Sequence, residues 1–255
     1  MNKQIGINEF YDLNKMPQQE GLLVFGVSMS RIGNAQSARK CFDYMESFIP
    51  KILYPAVGLV FLYADSLYLY SDEKASILKK RFQNLIHSHK NEFSKLLKKH
   101  PLRIPKSISY LAWNQLVLET REFFDYFGKI QRIYKQDKKF QEYVKKDIGK
   151  KNPSQNEIDF ILEEILIFYL ISKGRVRLYN DYVQDKQKWI LQCYPGKPLM
   201  SEVYLFQKNF FKLNNKDNVY ENSFYDLEEK RIYDYNRLDL ETLSYNSPVH
   251  CHSPA

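Results

Sequence analysis

At 255 residues the chain can bury a sizeable core, and a single α/β domain of that length is ordinary. Apolar residues make up 44%, yet no window reaches the ~18 uncharged apolar residues that cross a bilayer, and the scattered Cys41, Cys193 and Cys251 suit neither a disulfide framework nor a closed zinc site. The net charge is +8, and eight acidic against four basic residues in 214–255 give −4 there and leave +12 on residues 1–213, a balance that favours a polyanionic partner such as RNA.

Residues 1–20 are polar, without period, and read as an arm; the opening Met1-Asn2-Lys3-Gln4-Ile5 has no signal-peptide core, so a cytoplasmic location is expected. Leu22-Leu23-Val24-Phe25-Gly26-Val27 then forms a continuous apolar run, the pattern of a strand buried on both faces, and it ends at Ser28. In open parallel sheets, ligands collect beyond the carboxyl ends of the strands. Ser28 would face that crevice. Gly26 removes a side chain beside the hydroxyl, which lets a carbonyl substrate approach backbone donors. The alternative reading is a serine that caps the following helix, whose pattern begins near Asn34.

Ala38, Cys41, Phe42, Met45, Phe48, Ile49 and Ile52 keep the spacing of a helix with one buried stripe, ended by Pro55. Val57 to Tyr63 is a second buried strand, and strand-helix-strand order with short connections implies a right-handed parallel crossover. Ser71 to His100 is the most regular helix. Its stripe of Leu78, Phe82, Leu85, Ile86, His89, Phe93, Leu96 and Leu97 puts Lys80, His87, Lys95 and Lys98 on the opposite face, flanked by Arg81 and Lys99. That face is either a solvated surface or a phosphate-binding ridge.

Ser107 to Trp113 reads as a third strand, and Glu119 to Lys151 as one helix with lysines crowded into its last turns. Ser154-Gln155-Asn156-Glu157 has the spacing of a capping box and opens a helix that is apolar almost all round, carries Glu163 and Glu164, and should stop at Gly174. Two adjacent carboxylates on such a helix require exposure or pairing of at least one. A strand over 188–194 ends at Pro195-Gly196-Lys197-Pro198, a closing helix covers 199–213, and 214–255 read as an acidic, tyrosine-rich extension lying along the surface. His250-Cys251-His252 lacks further ligands nearby, so no metal site is expected.

Ser28, Glu164 and Tyr194 thus fall where a parallel sheet would bring them together. No histidine occupies such a place, and the chain has neither a Gly-x-Ser-x-Gly elbow nor a Walker loop. From about Leu22 to Leu213 the pattern resembles the cyclodipeptide synthases: Gly26-Val27-Ser28 matches their nucleophile motif, Phe160-Ile161-Leu162-Glu163-Glu164 their Tyr-x-x-x-Glu motif, and Cys193-Tyr194 their strand-end Tyr. The family is similar to class Ic aminoacyl-tRNA synthetase catalytic domains. The resemblance therefore implies an α/β, Rossmann-like, three-layer fold with a parallel sheet of about five strands flanked by helices.

It also implies a monomeric enzyme with no cofactor and no metal. Such an enzyme takes two aminoacyl-tRNAs without ATP, passes the first aminoacyl group to Ser28, extends it with the second and releases a cyclic dipeptide. In that scheme Glu164 binds the α-ammonium, and Tyr194 positions Ser28 or relays a proton in cyclisation. Lys80, Arg81, Lys95, Lys98 and Lys99 correspond to the tRNA-binding helix by segment. Phe160 replaces the family Tyr, and a second family Tyr falls near Phe123 or Tyr126, of which Tyr126 is carried. Arg31, three residues after the serine, and Pro195 resemble the branch with Pro after the strand-end Tyr; Val24 is expected in the pocket lining. Two alternatives stay open: a non-catalytic tRNA- or RNA-binding module on the same fold, and a serine esterase, which requires a His near Ser28.

Overall fold

The computed structural model describes residues 20–49, 51–65, 75–176, 178, 189–241 and 243. Four strands come first in the order that matters to the site: β1 (Gly21–Val27), β2 (Val57–Tyr63), β3 (Ser107–Ala112) and β4 (Trp189–Tyr194). Two more, β5 (Ser223–Asp226) and β6 (Arg231–Asp234), complete a six-stranded sheet in the order β3-β2-β1-β4-β5-β6. All neighbours are parallel except the β5–β6 hairpin. This is a Rossmann-like α/β fold, and the chain reverses direction across the sheet between β1 and β4, the topological switch point.

Every residue of β1 is buried, and the alternation of a strand sorts them between two layers. Leu23, Phe25 and Val27 pack with α1 (Ala38–Phe48) and α2 (Ala75–Lys99). Leu22 and Val24 join the other core, built on α3 (Trp113–Glu119), α4 (Phe123–Gln136), α5 (Lys138–Ile148), α6 (Gln155–Ser172) and α7 (Met200–Lys208). Gly26 and Ser28 continue the Leu22–Val24 alternation and so point to the α6 side.

The helix at α6 forms as its ends dictate. The Ser154–Glu157 capping box is present, and Gly174 (φ +67°) takes the left-handed position past the C-terminus. There Gly174 N–H donates to Ile171 O and Arg175 N–H to Leu170 O, the two bonds that close a helix on a glycine.

Two sequence expectations are corrected. The single helix over 119–151 is two, α4 and α5, preceded by α3 which ends at Glu119; the break falls at Asp137, whose carboxylate caps α5 by accepting from Phe140 N–H at 3.0 Å. Apolar spacing runs straight through such a break, because an Asp that competes for backbone N–H ends a helix without disturbing its stripe. The sheet, expected at about five strands, has six. Residues 223–234 supply β5 and β6 instead of lying along the surface, with Phe224, Tyr225, Ile232 and Tyr233 buried. Two four-residue strands are too short to show a period in the sequence. The expected helix turn at 71–74 and His250-Cys251-His252 lie outside the described residues, and among those described no helix is long and apolar enough to cross a membrane.

Candidate active site

The crevice at the switch point is walled by the ends of β1 and β4 and floored by α6. A Cβ placed on Gly26 would stand 3.1 Å from Phe168 Cζ and 3.3 Å from Tyr194 Cδ2, so the glycine is where strand, floor and wall meet. Gln192 donates to Phe168 O at 2.6 Å. Further down the strand, Asn218 ties Ser172 O to Ile190. The helix therefore runs antiparallel to the strands. One turn back from Phe168, about 6 Å, Glu164 reaches beyond the strand end by nearly the ~6.6 Å that separates Ser28 from Gly26. Phe160, Glu164 and Phe168 recur every four residues on one helix face, and each is half-buried, as side chains lining a recess must be.

Arg31 closes the arrangement. Its Nη1 donates to Pro195 O at 2.9 Å, and its guanidinium lies 5.5 Å from the Tyr194 ring centroid. Its charge also favours the ionised form of Glu164. Burial works the other way and prevails: with the negative charge of Asp147 it pushes the Glu164 carboxyl up to about 7. Ser28 is half-buried, its Oγ 2.9 Å from Ser30 Oγ. Its backbone N–H donates at 2.8 Å to Gln36 Oε1.

The other expected residues divide. Val24 is buried in the α6-side core, and Pro195 is buried where Arg31 holds it. Tyr126 is not brought to the crevice by its contacts: its ring lies edge-on to Phe211 at 5.2 Å and under Lys129 Nζ at 5.2 Å. Arg175 and Tyr169 are its charged and phenolic neighbours, which puts it by the C-terminal turns of α6, on the face of Tyr169. Glu163 is buried, its Oε1 accepting from Trp113 Nε1–H at 2.8 Å, and Glu164 is half-buried.

Lys80, Arg81, Lys95, Lys98 and Lys99 are all exposed on α2, where Glu92 is the sole acidic residue. His89 meets the end of β2 through Tyr63 OH at 2.9 Å, and one turn below Phe93 meets Phe61 edge-on, ring centroids 4.7 Å apart. The first half of α2 therefore extends past the carboxyl edge of the sheet, with Leu78 and Phe82 buried in the core shared with Val27 and Met29 and Lys80 and Arg81 exposed. The three described histidines belong to α2 and its end: His87 is exposed, His89 is engaged with Tyr63, and His100 packs on Phe42.

Sequence reasoning missed four participants. Phe168 was within reach, being four residues beyond Glu164 on the face already marked by Phe160. Gln36 gave no signal in a polar turn. Asp147 and Glu202 lie behind Glu164 on α5 and α7 and depend on long-range packing. Asp147 caps α7, accepting from Met200 N–H at 2.9 Å and Ser201 N–H at 2.8 Å, and burial holds it at about 6. Glu202 accepts from Tyr235 OH at 2.8 Å, and burial pushes it up to about 8, helped by the charges of Glu164 and Asp147. Among the described residues no group of His, Cys, Asp and Glu side chains could hold a metal ion.

No protein-family model and no curated protein sequence matches the chain. Among solved structures it is similar to a CDPS from Fluoribacter dumoffii, with TM-score 0.49 and 12% identity over 80% of this chain and 90% of that one. A CDPS from Staphylococcus haemolyticus gives 0.49 and 12% over 78% and 88%. A cyclodipeptide synthase from Streptomyces noursei gives 0.44 and 12% over 72% and 88%.

Proposed function

We propose that this chain is a tRNA-dependent cyclodipeptide synthase working through acyl-Ser28 intermediates. The observation that carries the reading is the shared crevice, in which the Ser28 strand end, the half-buried Glu164 face of α6 and the Arg31–Tyr194 pair converge beside an exposed cationic helix. In the first transfer Ser28 Oγ forms a bond to the ester carbonyl of an aminoacyl-tRNA and the bond to the ribose oxygen breaks, that oxygen leaving with the serine proton. An ester is reactive enough to need no strong base, in keeping with a site whose nearby ionisable groups are carboxylic acid, phenol and guanidinium. Met29 N–H, next along the turn, is the donor assigned to the developing oxyanion.

Glu164 holds the α-ammonium of the bound aminoacyl group. The arriving cation stabilises the carboxylate that burial destabilises, so charge separation is confined to the loaded site. The α-ammonium of acyl-Ser28 gives one proton to Glu164, and the amine so formed attacks the second ester, its further proton leaving with the ribose oxygen of the second tRNA. The new terminal amine next attacks the Ser28 ester, closing the ring and returning the proton to Oγ, with Tyr194 as the relay. No ATP enters, because each ester supplies its own activation.

The exposed basic face of α2 favours a second reading, a tRNA-binding module in which Ser28 is incidental. Ser28→Ala separates the two. On the synthase reading, a cyclic dipeptide accumulates in medium from cells expressing the protein and disappears with Ser28→Ala, while tRNA affinity is retained; on the module reading neither protein yields product. The esterase reading has no support among the described histidines.

A further inference from the structure

Gln36, only 2% exposed, sits in the turn between β1 and α1, and both ends of its side-chain amide are used. Oε1 accepts from Ser28 N–H at 2.8 Å, and Nε2 donates to Gly26 O. In a parallel ladder, one residue of the neighbouring strand donates its N–H to the carbonyl of residue i and accepts at its own carbonyl from the N–H of residue i+2. The Gln36 amide makes that same pair of bonds to residues 26 and 28. It does so on a particular edge of the strand. Val27 O accepts from Ala64 N–H on the β2 side, so the polar groups of Gly26 and Ser28 face β4. Pairing of β1 with β4 stops at Phe25–Cys193. The side chain therefore takes over the ladder where the two central strands part to open the crevice.

Gln36 is itself held. Cys41 Sγ donates to its carbonyl at 3.5 Å. We propose that Gln36 is the positioning residue of the nucleophile, its amide standing in the β1 ladder for one residue of a neighbouring strand so that Ser28 leaves the strand in a single orientation. This inference rests on the synthase reading of Ser28. It also explains the oxyanion assignment: Ser28 N–H is committed to Gln36, which leaves the next N–H, of Met29, for the substrate.

The test uses the full-length protein, a set of aminoacyl-tRNAs, single-turnover acylation of Ser28 followed by mass spectrometry, and amide hydrogen exchange resolved at Ser28. Gln36→Leu keeps the bulk and removes both bonds. It is expected to speed Ser28 amide exchange at least tenfold and to slow acylation about 100-fold at saturating aminoacyl-tRNA, with Kd for tRNA unchanged. Gln36→Glu keeps the acceptor for Ser28 N–H but sets an oxygen against Gly26 O, unless the carboxyl is protonated. Its acylation rate relative to wild type should therefore climb as pH falls from 8 to about 5.5, which a merely structural substitution would not produce, and it stands in if Gln36→Leu does not fold. Acylation of Gln36→Leu within threefold of wild type overturns the inference and leaves the synthase reading intact, as does a Gln36→Glu to wild-type ratio that is flat with pH or Ser28 exchange equal in Gln36→Leu and wild type. A wild-type protein that never acylates Ser28 overturns the reading and this inference with it.

Discussion

Glu164 is the residue on which pH dependence turns. A carboxyl raised to about 7 is half-protonated at neutrality, and only its ionised form can pair with an ammonium. Single-turnover acylation of Ser28 should therefore rise with pH through about 7. Glu164→Gln should flatten that rise and cut kcat/KM about 100-fold, roughly 3 kcal/mol of charge pairing. Glu202 makes the complementary prediction on stability. Its folded pKa, about 8, lies above the ordinary 4.5, so the folded state holds the proton more tightly. Its contribution is complete below about 4.5 and is lost as pH rises through about 8. Glu202→Gln, which retains an acceptor for Tyr235 OH, should gain on wild type by about 2–4 kcal/mol between pH 5 and 9 in thermal melts. A difference in Tm that stays constant over that range would mean the buried carboxylates do not titrate as their surroundings dictate.

At the scale of elements, the proposed function assigns tRNA to the exposed basic face of α2 and the aminoacyl group to the crevice floored by α6. Lys80→Ala with Arg81→Ala should weaken tRNA binding about tenfold and make the salt dependence shallower by ~0.7–0.9 per lost phosphate contact, while acylation at saturating tRNA is unchanged. An unaltered salt slope would exclude this half of α2 from the interface. Both helices were legible in the sequence because each carries a long pattern: an apolar stripe opposite lysines in α2, and a capping box with a closing glycine in α6. For Glu163 and Glu164 the sequence left exposure and pairing both open, since an apolar helix does not show which of two adjacent carboxylates meets a partner. What escaped were single polar residues acting across the fold. Gln36, Asp147 and Glu202 become meaningful only once β1, α5 and α7 are packed, and no local spacing marks them. The break at Asp137 was hidden for the opposite reason, a stripe that continues through a cap.

Over the whole molecule, the sheet extends through residues the sequence presents as an acidic tail. β5 pairs with β4, Asp226 at its end accepts from Gly196 N–H at 3.1 Å, and Tyr235 satisfies the buried Glu202. Removing residues 214–255 would bare an edge of β4 and orphan that carboxyl. The truncated chain should lose its cooperative thermal transition, whereas a stable, soluble fragment would show these strands to be dispensable. The central claim, that Ser28 is an acyl carrier, is tested most directly by incubating the purified protein with aminoacyl-tRNAs in the absence of ATP, quenching, and reading the mass of the Ser28 peptide. The account predicts a peptide heavier by one aminoacyl residue, and then by a dipeptidyl group, with a cyclic dipeptide in solution and none of these from Ser28→Ala. An unmodified Ser28 peptide across the full set of aminoacyl-tRNAs, or a cyclic dipeptide still made by Ser28→Ala, would contradict it.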